Sequence, residues 1–289
     1  PKPQTQESRQ WRKPWGRRMI YRDRWALVTG ASAGIGAAFA RALAARGAHV
    51  ALVARRADRL EALAEELRST RQVKARTLAF DLKREDAPES IMAALGAEGV
   101  APDILVNNAG YGLPGAYLAN PWSEHRDFIA AMTTSYAHLT HAALPAMRQR
   151  GWGRIIQVAS VAGLVPGGAG HTLYGASKAF LVSFAQSLAA ECEGTGVKVS
   201  ALCPGFTYSE FHDVNGTRAL VSRLPRLAFM QAEPVVDGAI AAVERGHVVY
   251  VPGAFNKLVV GFAKALPRPW AAALVTRQSA KFRRFSATD

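Results

Sequence analysis

The chain has 289 residues, enough for one large domain, and a net charge of +14. Its only two cysteines, Cys192 and Cys203, exclude a disulfide framework in so long a chain and point to reduced, structural thiols. The seven histidines show no zinc spacing, and His138 and His141, three apart on one helix, are expected at a subunit interface, so no metal is expected.

Residues 1–23 open the chain as a basic segment. Lys2, Arg9, Arg12, Lys13, Arg17, Arg18 and Arg22 are interleaved with Trp11 and Trp15, with no apolar core among them. That is not the pattern of a signal peptide, and the segment is expected to be partly disordered. From Arg24 the pattern changes. Trp25 to Thr29 is a short apolar run suited to a buried strand. It leads into Thr29-Gly30-Ala31-Ser32-Ala33-Gly34-Ile35-Gly36, then into an alanine-rich helical stretch that Gly47 ends. Strand, glycine turn and helix in this order let the backbone and a helix N-terminus approach a pyrophosphate. Gly30, Ser32, Gly34, Ile35 and Gly36 are therefore candidate cofactor-binding residues. The second strand, 48–54, ends on Ala54 and is followed by Arg55 and Arg56. An acidic residue there would hold the ribose 2′-hydroxyl of NAD, whereas a guanidinium grips a 2′-phosphate. The expected cofactor is NADP(H).

Further apolar runs at 74–80, 103–107, 154–159, 197–203 and 247–251 predict strands. Periodic stretches at 34–46, 58–69, 84–95, 122–148, 174–193 and 234–245 predict helices, with Asp58 as a cap. This alternation predicts an α/β fold: a Rossmann-type doubly wound parallel sheet of about seven strands with helices on both faces. Residues 24–253 form its single dinucleotide-binding catalytic domain. Within it, residues 206–232 mix apolar side chains with turn formers above the strand ends, as a mobile substrate lid would.

Residues 254–289 form a basic amphipathic C-terminal helical extension. Leu258 to Val275 is apolar but interrupted by Lys264, Pro267, Arg268 and Pro269, which is too broken to span a membrane. Two short helices hinged there would cover the substrate mouth, lie on a bilayer or cap the sheet edge. Arg277, Lys281, Arg283 and Arg284 follow. Basic residues among aromatics suit an anionic membrane surface, and also nucleic acid non-specifically. No nucleic-acid module is present, so the expectation is a cytoplasmic protein with peripheral membrane contact and no specific nucleic-acid partner.

Tyr174 and Lys178 lie four apart, about one helical turn, and so share a face. A free phenol has a pKa of about 10, and a nearby ammonium lowers it. A tyrosine tuned in this way exchanges a proton with a substrate oxygen. Ser160, fourteen positions before Tyr174, adds a hydroxyl to orient a carbonyl.

Taken together these blocks resemble the short-chain dehydrogenase/reductase family. They run in its order: Thr29-Gly30-x-x-x-Gly34-Ile35-Gly36, Asp81-Leu82, Asn107-Asn108-Ala109-Gly110, Ser160-Val161-Ala162-Gly163, Tyr174-x-x-x-Lys178 and Pro204-Gly205. The resemblance covers residues 24–251 and implies roles. Ser160 would hydrogen-bond the substrate oxygen, Tyr174 would be the acid or base, and Lys178 would lower the tyrosine pKa and hold the nicotinamide ribose. Asp81 and Leu82 would contact adenine, Asn107 to Gly110 would line the cofactor, and Pro204, Gly205 and Thr207 would sit beside the nicotinamide and its phosphates. The implied activity is interconversion of a hydrophobic ketone or aldehyde and its alcohol, by a homodimer or homotetramer paired through the helices near 122–148 and 174–193. Two departures stand out. Met132 occupies the family's usual asparagine position, so Thr133 or Thr134 would have to substitute, or proton resupply takes another route. The serine-to-tyrosine spacing is also one residue longer than usual, which the loop 164–172 can absorb through Pro166 and its glycines. The alternative reading is a membrane-associated NADP(H)-binding protein with weak or no catalysis.

Overall fold

The computed structural model describes residues 19–113, 115–170, 172–208, 229–267, 269–273, 275 and 276. Residues 1–18, most of the expected lid (209–228) and the last thirteen residues (277–289) lie outside the described residues.

Strands β1 (Trp25–Thr29), β2 (His49–Ala54), β3 (Ala75–Ala79), β4 (Ile104–Asn107), β5 (Gly153–Val158), β6 (Val197–Leu202) and β9 (Val249–Tyr250) build one sheet. Its order is β3-β2-β1-β4-β5-β6-β9, and every pairing is parallel. Two short strands, β7 (Phe206–Thr207) and β8 (Phe229–Met230), pair separately and bracket the expected lid. Parallel strands are covered on both faces, which is why their sequences read as apolar runs. Alternate residues serve opposite faces. Ala26, Val28, Val50 and Leu52 join a core with α1 (Gly34–Ala44), α2 (Ala57–Arg71) and α7 (Ala232–Glu244). Leu27, Ala51, Val53 and Leu105 join the other, with α3 (Ala87–Ala97), α5 (Ser135–Gln149) and α6 (Thr172–Glu191).

The long helix expected over 122–148 is three pieces. Helix α4 (Trp122–Ile129) passes through a π-helical turn, Ala130–Thr134, into α5. Such turns are commonest at functional sites, and Met132 lies in this one. The helix expected from 84 begins at Ala87, with Pro88 in its first turn where a missing N–H costs nothing. Asp58 does not cap α2. Arg56 occupies the cap position and Asp58 sits in the first turn, where its charge complements the helix dipole. The C-terminal extension begins with α8 (Ala254–Ala265), and residues 269–273 are helical again beyond the proline hinge. Among the described residues no helix is long and apolar enough to cross a membrane.

The N-terminal ends of the strands are locked by a buried polar cluster. Arg154 of β5 donates to both carboxylate oxygens of Glu244 at 2.7 and 3.0 Å, and the Tyr21 hydroxyl donates to the same group at 2.5 Å. The Arg24 and Arg154 guanidiniums lie over the Trp152 ring at 3.6 and 4.3 Å from its centroid. Burial pushes the Glu244 carboxyl up, but the bonds from Arg154 and Tyr21 outweigh it and hold the group below the ordinary carboxylate range. Its contribution is therefore full above the unfolded value of about 4.3 and is lost as pH falls through the lower folded value. Glu244→Gln should cost about 1.5–3 kcal/mol in denaturant unfolding at neutral pH. The gap from wild type should narrow as pH falls through the lower folded value and the native carboxylate is protonated too; a gap that stays the same across the acid range would contradict this account.

Candidate active site

The sheet order reverses between β1 and β4, and the crevice at such a switch point is where open α/β sheets bind ligands. Here it is held by short polar contacts. Thr29 ends β1, and its hydroxyl accepts from the amides of Asn108 and Ala109 at 2.9 and 3.0 Å. Asn108 returns its side-chain amide to the Thr29 carbonyl at 2.9 Å. Gly30 has φ +65°, and a Cβ there would lie 2.7 Å from the Ala109 Cα. A Cβ on Gly36 would lie 2.2 Å from the Gly30 carbonyl oxygen, so α1 can start against the turn only without a side chain at that point. Gly36 thus serves packing, and the crevice itself is lined by Gly30, Ser32, Gly34 and Ile35.

Arg55 and Arg56 follow β2 at one end of this crevice, with Asp81 and Leu82 beside them. The Arg56 guanidinium donates to the Ser32 hydroxyl at 2.9 Å, tying the end of β2 to the glycine turn. Asn107 requires a correction. It is fully buried, and its amide donates to the Tyr136 carbonyl, Thr140 and Gln157 at 3.1–3.2 Å. Its side chain points from the last residue of β4 into the core, and Asn108, Ala109 and Gly110 line the crevice instead.

At the other end stand Ser160, Tyr174 and Lys178. Ser160 follows β5 and caps a short turn, Val161–Gly163, by accepting from the Ala162 amide at 3.2 Å. A Cβ on Gly163 would lie 2.5 Å from the Lys178 carbonyl carbon, so this glycine lets the serine turn press against α6. Lys178 is buried, and its ammonium donates to the Val158 carbonyl at 2.7 Å. Tyr174 is hydrogen-bonded to Ser160. The cavity joining the two ends is about 520 Å³ and is bordered by Val165, Pro166, Phe206, Thr207, Pro204 and Gly205.

The electrostatics differ from the sequence expectation. Burial holds the Tyr174 phenol above its ordinary value, with the Ser160 bond pulling the other way. Burial also disfavours charge on Lys178 and lowers it to about 7. Met132 is fully buried, and a Cβ on Gly110 would lie 3.1 Å from its sulfur. Neither neighbouring threonine takes its place: Thr133 spends its hydroxyl on the Ile129 carbonyl at 2.6 Å, and Thr134 is exposed.

Asn256 was not foreseen. It is buried in α8 and donates to the Pro252 carbonyl at 2.9 Å. A Cβ on Gly205 would lie 2.2 Å from its Oδ1. Of the three placements open to the extension, this one sets α8 against the turn that borders the cavity, and Val275 lines that cavity too. An isolated asparagine in an apolar stretch carries no sequence signal for such a contact.

Residues 24–218 match the model of the short chain dehydrogenase family. An uncharacterized oxidoreductase of Myxococcus xanthus is 36% identical over 87% of this chain and 95% of its own. A very-long-chain 3-oxoacyl-CoA reductase of Rattus norvegicus is 31% identical over 84% of this chain and 80% of its own. Among solved structures, a short-chain dehydrogenase from Sphingobium yanoikuyae in complex with NADPH superposes with a TM-score of 0.73. It is 32% identical, covering 86% of this chain and 98% of the other. The parallel sheet, the glycine turn at its switch point and these matches together make the chain an oxidoreductase of the short-chain dehydrogenase/reductase family.

Proposed function

We propose that the chain is an NADP(H)-dependent reductase that interconverts a hydrophobic ketone or aldehyde and its alcohol. The observation that carries this is the convergence of Ser160, Tyr174 and Lys178 at one end of a cavity whose other end holds Arg55 and Arg56. The cavity is continuous from the glycine turn to the serine, as a dinucleotide reaching a substrate requires. Arg55 and Arg56 would take the 2′-phosphate, and Asp81 and Leu82 the adenine. Asn108 to Gly110, Pro204, Gly205 and Thr207 would border the nicotinamide half. The apolar border of Val165, Pro166, Phe206 and Val275 favours a hydrophobic substrate. A relative named as a very-long-chain 3-oxoacyl-CoA reductase supports a ketone.

When bound, the reduced nicotinamide supplies the hydride. The protein's part is to place the carbonyl and complete it with a proton. Burial keeps the Tyr174 phenol protonated at neutral pH, which is the form that can donate to a carbonyl oxygen. Ser160, bonded to Tyr174, is placed to donate to the same oxygen and fix its direction. As the oxygen gains its proton the phenol becomes a phenolate. The charged form of Lys178, whose ammonium lies 5.7 Å from the Tyr174 ring centroid, stabilises that anion. The outward face of α4, α5 and α6, where Ile129, His138, His141 and Phe180 border a shallow concavity, is the surface through which two copies would pair.

Two measurements test the reading. Tyr174→Phe should lower kcat for ketone reduction by about 10²–10⁴-fold, the usual worth of a general acid, while NADPH still quenches or shifts protein fluorescence on binding. Retained turnover would remove the tyrosine from the mechanism. Arg55→Ala with Arg56→Ala should lower kcat/KM with NADPH by about tenfold or more, since charge-assisted bonds are worth about 1.5–3 kcal/mol each, and leave NADH little changed. An equal loss with both cofactors would point to a structural role for the arginines.

A further inference from the structure

Tyr136 is, among the described residues, the largest fully buried side chain, and the acid–base reading makes no use of it. It lies in the first turn of α5, just after the π-helical turn. A helical side chain of this size points back toward the N-terminus of its helix. Here that brings its hydroxyl to the Ala109 carbonyl, to which it donates. Ala109 is one of the residues bordering the cavity. The same ring presents itself to the Lys178 ammonium, 5.9 Å from its centroid, nearly the distance to the Tyr174 ring at 5.7 Å. Lys178 therefore stands between two phenol rings, and aromatic faces attract a cation within about 6 Å.

We propose that Tyr136 is a positioning residue of this site, its ring holding the Lys178 ammonium in place and in its charged form, its hydroxyl fixing the Ala109 carbonyl at the cofactor's edge of the cavity. The proposal rests on the acid–base reading of Tyr174. Among the described residues the groups facing Lys178 are Tyr174 from its own helix, Tyr136 from α5, the Val158 carbonyl at the end of β5, and Cys203 after β6. None is a carboxylate. Burial brings Lys178 down to about 7, and Cys203 opposes that. A ring facing the ammonium is then one of the few features that favours its charge. Tyr136 itself stays neutral, because burial and the neighbouring Tyr174 hold its phenol far above the ordinary value.

The sign follows from the lysine. Its charged form is present below its folded pKa and is lost as pH rises through it. A weaker hold on the ammonium lowers that pKa, so the alkaline limb of the rate profile moves to lower pH.

Two variants separate ring from hydroxyl. Tyr136→Leu should move the alkaline limb of kcat for NADPH-dependent ketone reduction down by about half to one and a half pH units, the worth of a cation–ring contact. Tyr136→Phe keeps the ring, so the limb should stay where it is. Its NADPH dissociation constant, read by fluorescence titration, should rise by about two- to tenfold for one lost hydrogen bond. Tyr174→Phe runs beside them. If that variant keeps its turnover, the acid–base reading has failed, and the NADPH titration of Tyr136→Phe still decides the hydroxyl's part. Thermal melting marks any variant that does not fold, and should Tyr136→Leu be one, Tyr136→Phe alone decides. An unmoved limb in folded Tyr136→Leu, or unchanged NADPH affinity in Tyr136→Phe, would overturn the proposal.

Discussion

The site depends on how closely backbone can approach backbone at the carboxyl ends of β1 and β4. Gly36 opens the first helix against the Gly30 carbonyl, and a single methyl group there would sit 2.2 Å from that oxygen. Without that contact α1 could not aim its N-terminus into the crevice. The Thr29 hydroxyl and the Asn108 amide then satisfy the backbone groups that a parallel sheet leaves open at its switch point. Everything downstream inherits this geometry: the arginines after β2, Asp81 and Leu82 after β3 and the serine after β5 all project from ends of strands held in register with β1.

Burial is the second constraint, and it acts on charge. Taking an ammonium and a phenol out of water together raises one group and lowers the other. Both are therefore shifted toward their neutral forms. The few polar contacts that remain, from Lys178 to the Val158 carbonyl and between Ser160 and Tyr174, fix direction more than charge. The cluster of Arg154, Glu244 and Tyr21 shows the opposite balance at the far end of the same strand. There an ion pair keeps its charges because Glu244 accepts from Arg154 on both oxygens and from Tyr21 as well.

Much of this was legible in the residues. The apolar runs marked all seven strands of the main sheet, because strands buried on both faces have no polar alternation to hide them. The glycine turn was legible because few residue types tolerate such crowding, and Tyr174 with Lys178 because helical spacing places them on one face. Other features were not. Asn107 and Asn108 are adjacent and chemically identical, yet only the second reaches the crevice, since neighbouring residues at a strand end point to opposite sides. The π-helical turn left no mark in a sequence that reads as one long helix.

The sequence by itself determined the sheet, the glycine turn at its switch point and the helical face shared by Tyr174 and Lys178, because each follows from local periodicity or from a steric demand on one residue. Only the tertiary structure decided how those groups are charged and what supports them. Burial holds the Tyr174 phenol above and the Lys178 ammonium below their ordinary values, Thr133 gives its hydroxyl to the Ile129 carbonyl, and Asn256 and Tyr136 arrived from distant segments to brace Gly205 and Ala109. Desolvation and through-space contact depend on everything packed around a group, and no run of neighbouring residues carries that information.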